Sequence, residues 1–407
     1  MPRRVRRALV VGGSVGGLFA ANLLLRQGWD VAVFERVAEG LDSRGTGIAH
    51  HPELEAIMAC AGAGDGRAVG VRVEGRTAVD LHGRVAARHR FPQYVTAWTR
   101  VFNPLRAAFP AARYHAGREL VALEGDGAAV AARFADGGVE TADLLVAADG
   151  FRSTVRGLVA PGVLPRYAGY VAWRAMVEEE AFSPAFRETV FDRFTFGFLP
   201  GSQFVGYPVP GREESAEPGR RRYNFLWYYP VDPGVALADL LTDDTGRLHA
   251  WSIPPALMRA AHVEALRREA AAQLPLPYGE AVERSAGFLM QPIYDLESEA
   301  VAFGRVALLG DAAFVARPHV GVGVLKAAED AQALAEALAE DEGAPVPEAL
   351  ARYAARRIPP GRAAVAAGRR LGAFIERRLD GPEADPALGL SPARVIEISG
   401  RPVGDGG

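Results

Sequence analysis

A glycine-rich turn, RALVVGGSVGG at residues 7–17, separates two segments of different periodicity near the start of the chain. Residues 8–11 form a short apolar run that predicts a buried strand. Residues 18–27 place apolar side chains at helical spacing, and residues 30–34 form a second apolar run. A strand, a tight turn, a helix and a second strand make a βαβ unit, so the sequence predicts a Rossmann-type fold in this part of the chain.

The residues of this turn match those that hold a nucleotide pyrophosphate. The first glycine of such a turn makes the bend, the second admits the pyrophosphate, and the third lets helix and strand pack closely. Gly12 and Gly17 fill the first and third positions, and Ser14 stands at the second, where its hydroxyl can donate to a phosphate. Glu35 ends the next strand, where an acidic residue accepts hydrogen bonds from ribose hydroxyls. Arg36 follows it, so we expect this side chain near the adenine ribose or in solvent.

The chain length, the net charge and the cysteine count restrict the class of partner. The 407 residues exceed the size at which one core keeps growing, so two domains or one large insertion are expected. The net charge of −3 provides no broad field for nucleic acid or an anionic membrane, and no apolar run reaches the ~18 residues that span a bilayer. The single cysteine, Cys60, excludes an internal disulfide. We therefore expect a cytoplasmic protein that acts on a small molecule.

The middle of the chain changes to a strand pattern. Alternation rich in aromatic residues and valine predicts antiparallel strands within residues 71–90, 169–176, 193–209 and 222–229. Helical periodicity follows at residues 255–274 and 326–340, and a second strand and turn, VALLGDAAF, begins near Val306. This order predicts an α/β fold: a Rossmann-type domain, interrupted by a substrate domain with a mostly antiparallel β-sheet, plus C-terminal helices.

Three further stretches carry a family resemblance: GTGIAHHPEL at residues 45–54, LLVAADGFRSTVR at 144–156 and VALLGDAAFVARPHVGVGVLKAAEDA at 306–331. Together they resemble the group A flavoprotein aromatic hydroxylases, the para-hydroxybenzoate hydroxylase-like family of FAD- and NAD(P)H-dependent monooxygenases. The resemblance covers residues 8–370. The predicted domain division is an FAD-binding domain at 1–70, 99–166 and 291–375, a substrate domain at 71–98 and 167–290, and a C-terminal tail at 376–407.

The resemblance implies a set of FAD contacts. Asp311 would bind the ribityl chain, and the loop that follows it would lie over the flavin. Arg100 falls where the family has an arginine near the pyrophosphate, although the residues after it depart from the usual pattern. Phe314 replaces the usual histidine and Val322 the usual glutamine of the flavin loop. The residues implied for FAD are Gly12, Ser14, Gly17, Glu35, Arg36, Arg44, Gly45, Arg100, Asp149, Gly310, Asp311, Pro318, Gly321 and Gly323.

The resemblance also implies the reaction. NADPH or NADH would reduce FAD as a transient co-substrate, and a flavin C4a-hydroperoxide formed with O₂ would hydroxylate an electron-rich ring. Stretches such as YAGYVAWRAM and YNFLWYY resemble family members that act on a dihydroxypyridine-like ring. The alternatives are urate-type or decarboxylating hydroxylation or epoxidation on the same fold, or a non-catalytic flavin-binding regulator. The expected partners are a small aromatic substrate and O₂, without nucleic acid or membrane, and a homodimer stays open.

Candidates for the chemistry near the flavin are few. A histidine suits proton relay near neutral pH, so His50 and His319 are candidate catalytic residues, with a packed or solvated histidine as the alternative for each. Pro318 is the third candidate, because the resemblance places its loop over the flavin, where backbone N–H groups can stabilise negative charge on the reduced flavin. The candidate substrate contacts, each of which could instead be a core or salt-bridge residue, are His51, Arg174, Tyr207 and Trp227. We expect no metal, because the sequence contains no H-E-x-x-H or comparable cluster.

Overall fold

The computed structural model describes residues 5–41, 47–64, 70–125, 127–211, 213–341 and 343–401. Within these ranges the strands are β1 (Arg7–Val11), β2 (Asp30–Glu35), β3 (Gly47–His50), β4 (Val71–Val79), β5 (Val85–Ala97), β6 (Tyr114–Ala116), β7 (Leu120–Gly125), β8 (Val130–Phe134), β9 (Val139–Ala142), β10 (Leu144–Ala147), β11 (Arg166–Glu178), β12 (Phe194–Leu199), β13 (Ser202–Val209), β14 (Arg222–Pro230), β15 (Leu289–Glu297), β16 (Ala302–Phe303), β17 (Val306–Leu308) and β18 (Phe314–Val315). The α-helices of the same ranges are α1 (Val15–Arg26), α2 (Pro52–Cys60), α3 (Thr99–Ala108), α4 (Thr154–Val159), α5 (Pro184–Phe186), α6 (Val235–Leu240), α7 (Ala260–Gln273), α8 (Leu276–Glu283), α9 (Gly323–Ala339), α10 (Val346–Glu376) and α11 (Pro392–Ile398).

The first sheet contains the Rossmann-type unit. In the described chain its strand order is β16-β17-β10-β1-β2-β6, and its pairs are parallel apart from β16 with β17. Ala8, Leu9 and Val10 are fully buried, and α1 packs against β1, β2 and α9. The carboxyl ends of parallel strands meet at one edge of such a sheet, which is where ligands bind. The predicted fold class is confirmed for this part of the chain.

The second sheet provides the wall opposite that edge. Its order over the described residues is β18-β15-β11-β14-β13-β12-β4-β5-β3, and it is antiparallel except between β12 and β4. Because side chains alternate along a strand, its two faces have different neighbours. In β14, Phe225 and Trp227 pack with residues of α7 and α8, whereas Leu226 and Tyr228 belong to a cluster with residues of α10 and α11. We call the face of Leu226 and Tyr228 the inner face.

The C-terminal part of the chain packs against this inner face. The sequence suggests only a tail after residue 376, but residues 392–398 form α11. Val395 and Ile396 are buried in the inner-face cluster together with Val71 and Val73 of β4. In the described ranges, none of the helices is long and apolar enough to cross a membrane.

Candidate active site

A cavity of about 710 Å³ lies between the two sheets. The ends of β1, β2, β10 and β17 line one side, and the inner face of the second sheet lines the other. The loop at residues 315–321 and the C-terminal residues 399–400 complete the wall. A cavity of this size is typical of cofactor and small-molecule sites.

The glycine-rich turn lies at one end of the cavity. Gly12 has φ +105°, and a Cβ atom there would be 2.2 Å from the carbonyl oxygen of Ala148. A Cβ atom on Gly17 would be 1.9 Å from the Gly12 carbonyl oxygen, so helix and strand pack too closely for a side chain. Ser14 is the N-cap of α1 and lines the cavity. The free N–H groups at the start of α1 therefore face a space that suits an anion.

Glu35 is fixed at the carboxyl end of β2. Its Oε2 accepts a hydrogen bond from the Gly13 N–H (2.8 Å), and its Oε1 accepts one from the Val37 N–H (2.9 Å). Each carboxylate oxygen can accept a further bond, and both Glu35 and Arg36 line the cavity. The carboxylate is thus held in place with capacity left for ribose hydroxyls.

Asp149 has a structural role as well as a place at the cavity. Its Oδ1 accepts from the Ser153 hydroxyl (2.5 Å) and its Oδ2 from the Val155 N–H (3.1 Å), which fixes the start of α4. Burial raises the pKa of the Asp149 carboxyl, although these donors oppose the shift. Because its oxygens already hold α4, Asp149 shapes the cavity wall through that helix.

Two motifs from distant parts of the chain meet beside the cavity. Arg156, three residues after Ser153, donates to the Ala312 carbonyl oxygen (3.1 Å) and so joins α4 to the G-D motif. Gly310 has φ +63°, and its N–H donates to Asp330 Oδ2 (3.0 Å). Asp311 then lines the cavity, where desolvation raises the pKa of its carboxyl. The turn at Gly310 therefore aims the Asp311 carboxylate at the ligand space.

A buried ion pair fixes the loop that follows. Arg317 donates to Asp295 Oδ1 (2.9 Å) and Oδ2 (2.8 Å), and both side chains are fully buried. Arg317 also contacts Glu376 at 2.8 Å, which ties the loop to α10. Pro318–Val320 form one 3-10 turn, and Gly321 closes it at φ +63°. The pair holds this loop in place, because breaking a buried pair leaves an uncompensated charge.

His319 lies in this loop and faces the cavity. Its Nε2 is 2.8 Å from the Tyr170 hydroxyl, and its Nδ1 is 3.0 Å from Gln203 Oε1. Its ring stands 4.1 Å from that of Tyr228. Burial, together with the charge of Arg317, lowers the pKa of His319 to about 3. The ring is therefore neutral near pH 7, and both its nitrogens are engaged.

The inner face places a cation among aromatic side chains. Arg174 Nη1 donates to Gln291 Oε1 (2.8 Å), and burial lowers the pKa of Arg174, which stays charged. Tyr207 and Tyr228 lie on the neighbouring strands β13 and β14 and oppose that shift electrostatically. Burial raises the pKa of Tyr207 to about 12, so it is protonated near neutral pH. All four residues line the cavity.

Comparison with known proteins identifies the family. A family described as FAD binding domain matches residues 6–176 and 292–367, and one described as FAD binding domain-like matches residues 167–295. The 2,6-dihydroxypyridine 3-monooxygenase of Paenarthrobacter nicotinovorans is 31% identical over 403 residues, 97% of each chain. The chain belongs to the family of FAD-dependent aromatic hydroxylases.

One further relative and a solved structure agree with the hydroxylase family. The 3-amino-4-hydroxybenzoate 2-monooxygenase of Streptomyces cremeus is 31% identical over 368 residues, 87% of this chain and 83% of its own. The solved structure of 2,6-dihydroxypyridine-3-hydroxylase from Arthrobacter nicotinovorans has a TM-score of 0.87 at 30% identity, with 94% of this chain and 96% of its own covered. The predicted family, the FAD cofactor, the NAD(P)H co-substrate and the monooxygenase activity are confirmed.

The cavity of this hydroxylase suits FAD. Gly12 has no room for a side chain, so its backbone borders the cavity directly. The N-terminal end of α1 provides a place for the pyrophosphate. Glu35 and Asp311 line the same cavity, where a ribose and a ribityl chain need acceptors. Gly321 and Gly323 also line it, as expected for a loop over the flavin. The predicted flavin neighbours Arg44 and Gly45 lie outside the described residues.

Five predicted site residues in the described ranges do not line the cavity, and Gly17 is one of them because it packs against the Gly12 carbonyl. His50 is buried, and its Nε2 lies 2.8 Å from Glu55 Oε1 of α2. Arg100 instead donates to the Glu214 carbonyl oxygen (2.6 Å). Trp227 points to the outer face, as the alternation of β14 requires, and its neighbour Tyr228 takes the inner position. These placements remove His50, Arg100 and Trp227 from direct contact with a ligand in the cavity.

His51, the fifth, contacts the flavin loop. It is the N-cap of α2, and its Nε2 lies 3.2 Å from the Gly321 carbonyl oxygen. A carbonyl only accepts, so this ring nitrogen carries the proton. Burial lowers the pKa of His51, which favours the neutral ring. Its position supports a role in holding the loop rather than in contacting substrate.

Arg76 is a site residue that the sequence did not reveal. It is 2% exposed, lines the cavity, and donates to the carbonyl oxygens of Ile396 (3.1 Å) and Ser399. Its Nη2 donates to Gln93 Oε1 (2.8 Å). The sequence gave no sign of this role, because the carbonyl groups of Ile396 and Ser399 lie more than 300 residues from Arg76 in the chain.

The two departures from the family pattern are packing residues. Phe314 is buried, and its ring lies where a Cβ atom on Gly361 of α10 would be 2.4 Å away. Val322 is buried in the inner-face cluster at the start of α9. Neither side chain lines the cavity.

Proposed function

We propose that this hydroxylase adds one oxygen atom to a hydroxylated N-heteroaromatic ring of the dihydroxypyridine type, bound against the inner face. The observation that carries the proposal is the Arg174 cation, which shares the cavity wall with Tyr207, Tyr228 and Gln291. When bound, FAD supplies the chemistry for accepting hydride from NAD(P)H and for activating O₂. The relatives named after dihydroxypyridine support this class of ring.

Arg174 would stabilise the ring in its reactive form. Oxygen transfer of this kind needs an electron-rich ring, and loss of a hydroxyl proton increases its electron density. A fixed positive charge in a poorly solvated site favours the resulting oxyanion. The protonated hydroxyl of Tyr207 is a suitable donor to the same oxygen or to the ring nitrogen. The substrate would therefore bind as an anion without a histidine base.

Apolar side chains line the cavity together with the Arg174 group. They include Val205, Leu226, Ile293 and Val320. Apolar walls exclude water, which strengthens the electrostatic effect of Arg174 and limits side reactions. We assign FAD to the predicted contacts that line the cavity. The cytoplasmic location and a homodimer stay predictions.

The test is substrate turnover by matched variants. We expect 2,6-dihydroxypyridine to stimulate NAD(P)H oxidation in air more than 3-amino-4-hydroxybenzoate or urate does. Arg174→Met should lower kcat/KM for it by about 10- to 100-fold, because a hydrogen bond to a charged group contributes about 1.5–3 kcal/mol. Arg166→Met on the same strand is the control, because Arg166 is exposed and does not line the cavity.

The outcomes separate the alternatives. Preferential turnover of urate or of 3-amino-4-hydroxybenzoate would contradict the proposed ring class and would still support the hydroxylase activity. An Arg174→Met variant with unchanged kcat/KM would remove the proposed role of this cation. If the protein contains flavin but none of these rings stimulates NAD(P)H oxidation, the result would support the non-catalytic alternative.

A further inference from the structure

The composition singles out one residue beside the cofactor site. Of the 46 basic residues, 45 are arginine, and Lys326 is the exception. The bias shows that arginine serves almost everywhere in this chain that a cation is needed. A guanidinium is planar and large, whereas an ammonium is a compact charge with three donors. Lys326 therefore places the single compact ammonium of this sequence next to the flavin loop.

Lys326 stands in the first turn of α9, directly after the flavin loop. Its side chain is 4% exposed. The Nζ atom lies 3.8 Å from Asp311 Oδ1 and 3.9 Å from Asp330 Oδ2, and it has no hydrogen-bond partner within the described residues. A buried ammonium without a direct bond is costly unless nearby carboxylates compensate its charge. Lys326 therefore depends on these two aspartates.

Asp330 is the fixed member of this group. Its Oδ2 accepts from the Gly310 N–H (3.0 Å), and its Oδ1 accepts from Arg357 Nε of α10 (2.6 Å). Arg357 also bonds Glu329 (3.0 Å). Asp330 thus has one donor on each oxygen and is 2% exposed, so it cannot reorient. The second aspartate, Asp311, faces the cavity instead.

The charges favour an ionised Asp311. Desolvation by the surrounding protein raises the pKa of its carboxyl, and the Asp330 charge acts in the same direction. The charges of Lys326 and Arg156 lower it again. Without the Lys326 ammonium, the Asp311 carboxylate would still face the negative charge of Asp330. Of the two cations that compensate Asp311, only Arg156 would remain.

We propose that Lys326 is a positioning residue that holds Asp311 ionised and oriented toward the ribityl chain of FAD. The proposal rests on the proposed FAD site and adds a residue that does not itself line the cavity. Lys326 links Asp311 to the fixed Asp330 and through it to α10. Its compact ammonium fits between two carboxylates where Arg357 already occupies the far side of Asp330.

The experiment measures cofactor affinity with two probes. Apo-protein is titrated with FAD and, separately, with ADP, which can reach the glycine-rich turn and Glu35 but not Asp311. We expect Lys326→Met to raise the Kd for FAD at least about tenfold and to leave the Kd for ADP within about twofold, because the lost interaction acts only on the ribityl side. Lys326→Arg should restore only part of the FAD affinity. Arg356→Met, which removes an exposed cation of α10, is the control for net charge.

A double-mutant cycle tests whether Lys326 acts through Asp311. In an Asp311→Asn background, Lys326→Met should change the Kd for FAD by less than about twofold, because the group it positions has gone. Equal losses of ADP and FAD affinity, or additive effects in the cycle, would overturn the proposal. Lys326→Gln replaces Lys326→Met if the latter does not fold, as judged by thermal unfolding of the apo-protein. If Asp311→Asn alone leaves the Kd for FAD unchanged, the assignment of Asp311 to FAD binding fails. If Asp311→Asn weakens FAD binding and Lys326→Met does not, only the proposed role of Lys326 fails.

Discussion

His319 illustrates how burial changes the role of a single residue. Histidine beside a flavin loop suggests proton relay, but the hydroxyl of Tyr170 and the amide of Gln203 engage both its nitrogens. With its pKa lowered to about 3, the ring is a poor proton acceptor near neutral pH. We therefore assign His319 to holding the loop in place.

This assignment predicts a specific dependence of stability on pH. The folded-state pKa of His319 lies below its ordinary value of 6.5, so as the pH falls the unfolded chain takes up a proton first. The contribution of the neutral ring is complete well above pH 6.5 and is lost as the pH falls toward 3. Between pH 6.5 and about pH 4.5 this one group should lower the free energy of unfolding by about 2 kcal/mol.

The measurement is denaturant unfolding of wild type and His319→Gln at both pH values. The variant should lose about 2 kcal/mol less stability on acidification than wild type does. His82→Gln, at an exposed turn residue, should behave as wild type. Parallel pH profiles of the His319→Gln variant and wild type would contradict a buried neutral ring.

Residue-level reasoning from sequence succeeds where the signal is local. Gly12, Glu35 and Asp311 belong to short motifs, and the structure brings all three to one cavity. Trp227 and Tyr228 are adjacent in an aromatic strand, and the sequence does not say which of the two faces inward. The phase of that alternation is set by the packing of α7 and α8 on the outer face. Arg76 stayed hidden because its partners are distant in sequence.

At the scale of elements, the residues that directly follow α11, Ser399 and Gly400, close part of the cavity wall. Arg76 of β4 holds the end of this helix through the carbonyl oxygens of Ile396 and Ser399, and the Gly400 N–H donates to the Val320 carbonyl oxygen (2.8 Å). The C-terminal segment therefore connects the second sheet to the flavin loop. Its Pro- and Gly-rich sequence suggested a tail, since a single short helix gives little periodicity.

We predict that Arg76→Met loosens this closure. Loss of the guanidinium removes hydrogen bonds to two buried carbonyl groups, and each unsatisfied group costs about 1–3 kcal/mol. Residues 392–401 should become more susceptible to limited proteolysis, and less product should form per NAD(P)H oxidised, because water enters the cavity. Arg72→Met, an exposed residue of the same strand, is the control. Unchanged proteolysis and unchanged coupling in Arg76→Met would show that the segment closes without this arginine.

At the scale of the whole molecule, two sheets of different construction share one cavity. The sequence predicts the division between a parallel and a mostly antiparallel sheet, because strand alternation and the βαβ pattern differ in period. The contacts that fix the loop at residues 315–321 could not be predicted, since Arg317 pairs with Asp295 and Glu376 and the Gly400 N–H donates to Val320, and these partners come from separate segments of the chain. The loop that lines the cavity is thereby held against the second sheet and α10.

The most direct test of this account is isotope labelling of the product. The FAD-loaded protein is given 2,6-dihydroxypyridine, NAD(P)H and ¹⁸O₂, and the product mass is compared with NAD(P)H consumption. The account predicts a ring that gains a single ¹⁸O atom, with one NAD(P)H oxidised for each product formed. Oxidation of NAD(P)H with no labelled product from this or any related hydroxylated ring, or oxygen that comes from water, would contradict it.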